Sequence, residues 1–449
     1  MENSTSQGYF DGMKMSGRQK SFIFLLIAGT MFEQIDMVKF SYIAPPLMKL
    51  WGLSVKQVSI INGIFAIGAI LGALFFGWLG NSKGRRVGMT TALLLGGLGA
   101  LLTSCAPNYT LLLVFRAIAG FGICGVVTIE GNYLAEMLPA EQRAKWQGIL
   151  SLACVVGIIL AATIAKELIS VGLNNWRFVA AIPSLAMIVG LIFWKIVPES
   201  PRWLVSKGRY DEANVIYKDL TGKELVDEHL ENTEKNATYK ETIKLLISKR
   251  YIKRTVFVFT AGLILNNAGW MITYMLSTLL TDQGMAVSQA LKIQQIYSLA
   301  LIIPPFYVML FGDKGGRKIP YAIAMLIGGI AIAGIGLTGT ANIPLLIGFV
   351  ILMASVLTSH LNFLTIYGGE LFPTRVRSLV SGLTFLIIRM GTFITQSFVV
   401  GALYSMAGFK GYFMSISSVY ILMFIFILAI APRSAKINLE KLNSESFKD

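Results

Sequence analysis

Apolar residues in this chain come in long unbroken runs, without the short amphipathic stripes of a soluble core. The runs fall at roughly 21–42, 57–79, 87–105, 109–131, 146–166 and 176–197, and again at roughly 253–279, 290–311, 319–338, 343–367, 378–400 and 411–431. At about 1.5 Å per residue each can cross about 30 Å of hydrocarbon as a helix. The pattern therefore predicts an all-α membrane protein with twelve transmembrane helices, numbered here as spans 1 to 12. A polar interval at 198–252 predicts a cytoplasmic linker between an N-terminal six-helix bundle (1–197) and a C-terminal bundle with its tail (253–449). The first run is too long, and too charged in its second half, for a cleaved signal peptide.

Composition agrees: 55% of the 449 residues are hydrophobic and 14% charged, which fits no soluble class. The net charge of +15 could suggest nucleic acid, but its placement argues for topology. Loops on the side of the termini hold 29 Lys and Arg and the opposite loops 6. That asymmetry predicts cytoplasmic N- and C-termini, in a bacterial inner membrane, with at most a minor attraction to anionic lipid. The three cysteines all fall in spans and are expected as buried thiols. No phosphate-binding Walker loop follows a strand and no Cys/His cluster has metal-ligand spacing, so no ATP drive, metal or other cofactor, or enzymatic activity is expected.

The two bundles repeat one unit. Gly84-Arg85-Arg86 after span 2 matches Gly316-Arg317-Lys318 after span 8, an offset of 232. Glu136-x-x-Pro139-x-x-x-Arg143 matches Glu370-x-x-Pro373-x-x-x-Arg377, an offset of 234. Two matches at nearly one offset indicate duplication, and in transporters built from repeats the substrate lies near the midplane between them. These loops, with Arg116-Ala-Ile-Ala-Gly120-Phe-Gly122 in span 4 and PESPRWLVSKGR at 198–209, resemble the major facilitator superfamily. The resemblance covers nearly the whole chain, and it points to the branch of sugar porters, organic ion transporters and aromatic-acid/proton symporters. It implies two pseudo-symmetric bundles, alternating access and function as a monomer. Asn81 stands where the family loop usually has Asp, while Asp313 keeps it in the second half; the loss of charge at a helix N-terminus weakens that lock by about 0.3 to 1 kcal/mol. The paired glutamines of sugar porters in helix 7 are replaced by LNNAGWMITYML, which lowers the expectation of hexose transport. Asn81, Arg85, Arg86, Glu136, Arg143, Asp313, Arg317, Glu370 and Arg377, with Glu199, are expected to tie helix ends together as a gate.

The charges inside the membrane carry the functional signal. Glu33, Asp36 and Lys39 of span 1 share one helical face, and each costs roughly 2.5 kcal/mol or more at the bilayer centre. Lys39 is expected near the outer interface, within reach of water by snorkelling. An Asp36–Lys39 salt bridge without a transport role is one reading. The other is proton carriage, because two carboxylates one turn apart do not both ionise cheaply. An acid at this depth also resembles the proton-coupling aspartate of the aromatic-acid symporters, a motif that Asp36 matches more closely than Glu33. Arg116 in span 4 stays charged and needs an anion, with Asp36 or Glu33 as its expected partner.

Arg389, mid-way along span 11, has no acid on its own helix. Its planar fork suits a carboxylate, and the organic-anion members are similar in placing a basic residue there. Asn266, Asn267, Trp270 and Tyr274 in span 7, His360 and Asn362 in span 10, Gln396 in span 11 and Glu130 in span 4 are further cavity candidates, though packing alone would also account for them. Gly63, Gly68, Gly72, Gly120, Gly122 and Gly125 read as close helix packing. The sequence thus predicts proton-coupled symport of a small organic anion, an aromatic or other monocarboxylate. A zwitterion or organic cation bound by Glu33 and Asp36 is the main alternative, and a non-transporting sensor a second.

Overall fold

A computed structural model describes residues 9–13, 15–225, 239–312, 317–372 and 374–432, apart from the side chains of 140, 144, 239–240, 368–370, 374–375 and 377–378. The described chain is helical almost throughout. Among the described residues, eleven continuous helical stretches are long and apolar enough to cross a membrane. The last, Leu379–Ile430, has 52 residues and is two spans in series. Its break is Gly408, at φ 64° and ψ −171°, a backbone region essentially reserved for glycine. All twelve expected spans are therefore present.

Span boundaries differ from the hydropathy reading where local chemistry overrides it. Span 1 runs Gly17–Trp51, carrying its helix through Pro45 and Pro46. Prolines there cost helix hydrogen bonds, but Ile43, Ala44 and Leu47 around them are fully buried and hold the turn in place. Spans 2 to 5 are Val55–Ser82, Arg85–Ser104, Tyr109–Met137 and Ala140–Val171. Span 6, Leu173–Ile196, tightens to a 3₁₀ turn at Ile182–Leu185 around Pro183. Spans 7, 8 and 9 are Ile252–Asp282, Val287–Phe311 and Lys318–Thr338. Span 10 is two helices, Ile343–Leu357 and Ser359–Leu371. Span 11 begins as Thr374–Ile394 and widens into one π-helical turn at Thr395–Val399. In the linker, Pro201–Ser206 starts on an N-cap in which Ser200 Oγ accepts from the Trp203 amide at 3.2 Å, and Tyr210–Thr221 follows.

Contacts divide the chain into two compact units, one of 1–43 with 64–234 and one of 44–63 with 235–449. In the first, spans 2, 3 and 4 touch backbone to backbone. A Cβ on Gly122 would lie 2.0 Å from the Gly96 nitrogen, and one on Gly72 would lie 1.9 Å from the Phe121 carbonyl oxygen. Only glycine permits that approach. In the second unit the aromatic core is layered, with Tyr321 stacked on Phe363 at 4.9 Å and Phe257 edge-on to Tyr367 at 5.1 Å.

Candidate functional site

In the first unit, Glu33, Asp36 and Lys39 are all fully buried. Lys39 forms an ion pair with Asp36 and donates to the Ala180 carbonyl of span 6 at 3.2 Å. It does not snorkel. The helix continues to Trp51, so Lys39 sits three turns inside its end rather than at the interface. Arg116 is also buried, with Nη1 3.7 Å from Asp36 Oδ2 and its guanidinium 4.1 Å above the Phe65 ring and 5.3 Å from Phe40. Aromatic faces stabilise a cation without supplying a counter-charge, so Asp36 is the carboxylate shared by two cations. At the Arg116 separation the attraction is on the order of 4 kcal/mol for an effective dielectric near 20. Beyond Asp36, Glu33 accepts from the Gln34 amide, and Glu130 of span 4 is hydrogen-bonded to the Thr30 hydroxyl.

In the second unit the predicted residues divide. Asn267 is committed to joining spans 7 and 11: Nδ2 donates to Leu263 O at 2.6 Å, and Oδ1 accepts from Thr392 at 2.8 Å. Trp270 stacks on Tyr274 with centroids 4.7 Å apart. Asn266 is buried beside them. His360 lies just past the break in span 10; its Nδ1 meets Leu357 O at 2.6 Å, and its ring faces Gly269 of span 7. Arg389 is half-buried with its guanidinium 4.9 Å from the Phe385 ring. Arg389, Thr392 and Gln396 recur at helical spacing along one stripe of span 11. Gln396 occupies the π turn, fully buried, and neither polar atom of its amide has a hydrogen-bond partner among the described residues.

The loop residues are partly assembled within the first unit. Arg85 grips Glu136 in a fork, Nη2 to Oε1 at 2.9 Å and Nε to Oε2 at 3.2 Å, and reaches Gly80 O and Asn81 Oδ1. Arg86 caps Trp194 O and lies over that indole at 4.4 Å. The N-terminus of span 3 is held by Glu199, whose Oε1 accepts from the Arg85 amide at 2.8 Å and whose Oε2 accepts from the Arg86 amide at 3.1 Å. Burial holds the Glu199 carboxyl above the usual carboxylate range, outweighing the amides of Ser200, Arg85 and Arg86. Gly84, at φ 114°, clears the way: a Cβ there would meet Glu199 Oε2 at 2.1 Å. Arg143 instead reaches Leu138 O and Asp11, at 3.1 and 3.8 Å. Arg317 stands at φ 68° before span 9. Asp313 lies outside the described residues, as do the side chains of Glu370 and Arg377.

The family profile described as "Sugar (and other) transporter" matches residues 15–445. The chain belongs to this family. The transporter is 28% identical over 398 residues to the niacin transporter NiaP of Acinetobacter baylyi, covering 86% of this chain and 88% of that protein. It is 27% identical over 426 residues to the major myo-inositol transporter IolT of Bacillus subtilis, covering 87% and 85%. Its fold matches the inward-open xylose transporter XylE of E. coli with a TM-score of 0.72 over 95% of this chain and 99% of that one, at 17% identity. This is the major facilitator fold, twelve helices of a multi-pass membrane transporter and not an enzyme.

Glu199 was expected to pair with the loop arginines, and it meets Arg85 and Arg86 through their backbone amides, a cap whose local signal is an acid immediately before the Ser-Pro start of a helix but whose target lies 114 positions earlier. The Thr30–Glu130 bond was missed and had no such signal, because which faces of spans 1 and 4 meet depends on helix rotation. Chemically, the first unit offers a carboxylate whose protonation would release two cations at once. The second offers a guanidinium and an unpartnered amide on the same stripe.

Proposed function

We propose that this transporter is a proton-coupled symporter importing a small organic anion, an aromatic or other monocarboxylate, by alternating access. The observation that carries it is Asp36, wholly buried and shared between Lys39 and Arg116. A proton on Asp36 removes an attraction on the order of 4 kcal/mol from Arg116. Converting a two-state protein from one form to the other takes about 5.5 kcal/mol, so one such pair and a bound substrate together suffice. Arg389 is the residue proposed to take the carboxylate, with Gln396, Trp270 and Tyr274 around the rest of the ligand. Niacin, named for the relative NiaP, is itself an aromatic carboxylate. Cytoplasmic termini, a bacterial inner membrane and monomeric function complete the reading.

A neutral polyol or sugar is the second reading, favoured by the family description and by the relative IolT. The unpartnered Gln396 amide and the Trp270–Tyr274 stack suit hydroxyls and a sugar ring as well. The test is proton entry into liposomes holding the purified protein, read with a pH-sensitive dye against carboxylates, polyols, amino acids and organic cations. Carboxylate-triggered entry, abolished by Asp36→Asn and by Arg389→Ala, supports the anion reading. Entry triggered by polyols with Arg389→Ala unaffected supports the second, and entry triggered only by zwitterions or cations overturns both.

A further inference from the structure

Span 1 carries Asp36, Glu33 and Thr30 at successive three-residue steps, about 4.5 Å apart along the axis. The last of these meets a carboxylate from another helix, Glu130 of span 4. Glu130 is buried, and no Lys or Arg forms an ion pair with it among the described residues. Cys154 of span 5 is a thiol within electrostatic reach of both Glu130 and Glu33, and so links the two carboxylates' surroundings. Such a site would be costly for a permanently charged group.

The Thr30 hydroxyl lies within bonding distance of both Glu130 Oε1 and its own helix's Leu26 carbonyl, the latter at 2.9 Å. A hydroxyl has one proton to donate and lone pairs to accept with. When Glu130 is ionised, Thr30 donates to it. When Glu130 is protonated, its O–H donates to Thr30, and Thr30 turns its own proton to Leu26. Both states are satisfied without moving a heavy atom, which a fixed cation partner could not achieve.

We propose that Glu130, with Thr30 as its two-way partner, is the relay carboxylate that takes the proton after Asp36 and Glu33. This rests on the proton-coupled reading above. Each transfer moves one proton: Asp36 ionises as Glu33 is neutralised, then Glu33 ionises as Glu130 is neutralised. The steps run towards the Gly17 end of span 1, so the relay leads a proton away from the Asp36–Arg116 pair in one direction. Glu130 itself carries the proton in this scheme, and no substrate contact is assigned to it.

Infrared difference spectroscopy on the purified, lipid-reconstituted protein, titrated from alkaline to acidic pH, needs no identified substrate. The wild type is expected to show carboxylic-acid bands that Asp36→Asn and Glu130→Gln each remove separately. Thr30→Val should move the Glu130 band to higher frequency through loss of its hydrogen bond, and Asp36→Asn should shift the Glu130 midpoint. If Asp36 titrates while Glu130→Gln leaves every band in place, Glu130 does not change its protonation and the relay is wrong although proton coupling stands. If neither residue gives a band, proton coupling through span 1 fails, and the relay with it.

Discussion

Asp36 holds two buried cations with one carboxylate, so removing the acid strands both, whereas removing one cation leaves a balanced pair. Breaking a buried pair costs about 3 to 5 kcal/mol. Asp36→Asn alone is therefore expected to lower the detergent melting temperature more than Arg116→Gln alone, and adding Arg116→Gln to Asp36→Asn should recover part of that loss. Additive effects of the two changes in a double-mutant cycle would mean that the 3.7 Å contact carries no coupling. The need for an anion beside Arg116 was legible in the sequence, since an arginine in hydrocarbon cannot discharge. The fate of Lys39 was not, because it depended on whether Pro45 and Pro46 ended the helix. Asn267 is a similar case: an amide in a span was left between ligand contact and packing, and its bonds to Leu263 and Thr392 join helices.

Helix existence was written in hydropathy, and helix detail was not. The interval between spans 11 and 12, 401–410, was legible in hydropathy, but that a single glycine conformation at Gly408 makes the break was silent. Gly408→Val should cost about 1 to 3 kcal/mol, read as a lower melting temperature. The π turn at Thr395–Val399 is likewise silent, since it changes the backbone count and leaves composition untouched. Close packing was legible from glycine spacing. Gly122→Leu, forced against the Gly96 backbone, should destabilise by about 3 kcal/mol, and unchanged melting would show that spans 3 and 4 can part. Loss of the Glu199 acceptor in Glu199→Ala should cost about 1 kcal/mol through the N-terminus of span 3.

For the whole molecule, the internal repeat was readable from two loop matches, while the grouping of 44–63 with the second unit was not, because it reflects packing between segments distant in sequence. The proposed orientation rests on the 29-to-6 charge asymmetry. With the native cysteines replaced, a cysteine at Lys207 should resist a membrane-impermeant thiol reagent in intact cells, and one at Glu167 should react; the opposite pattern would invert the topology. The glycine contacts among spans 2, 3 and 4 bear on motion as well as stability. Backbone against backbone leaves no side chain to absorb a shift, so Arg116 and Glu130 share one stiff frame, while Asp36, Glu33 and Thr30 ride on another helix. Span 1 is keyed in turn to span 5, where a Cβ on Gly157 would lie 2.9 Å from the Met31 carbonyl oxygen. On the proton-coupled reading, a proton arriving at Asp36 would loosen the grip between two stiff blocks, and these close contacts leave sliding as the motion that costs least in local deformation.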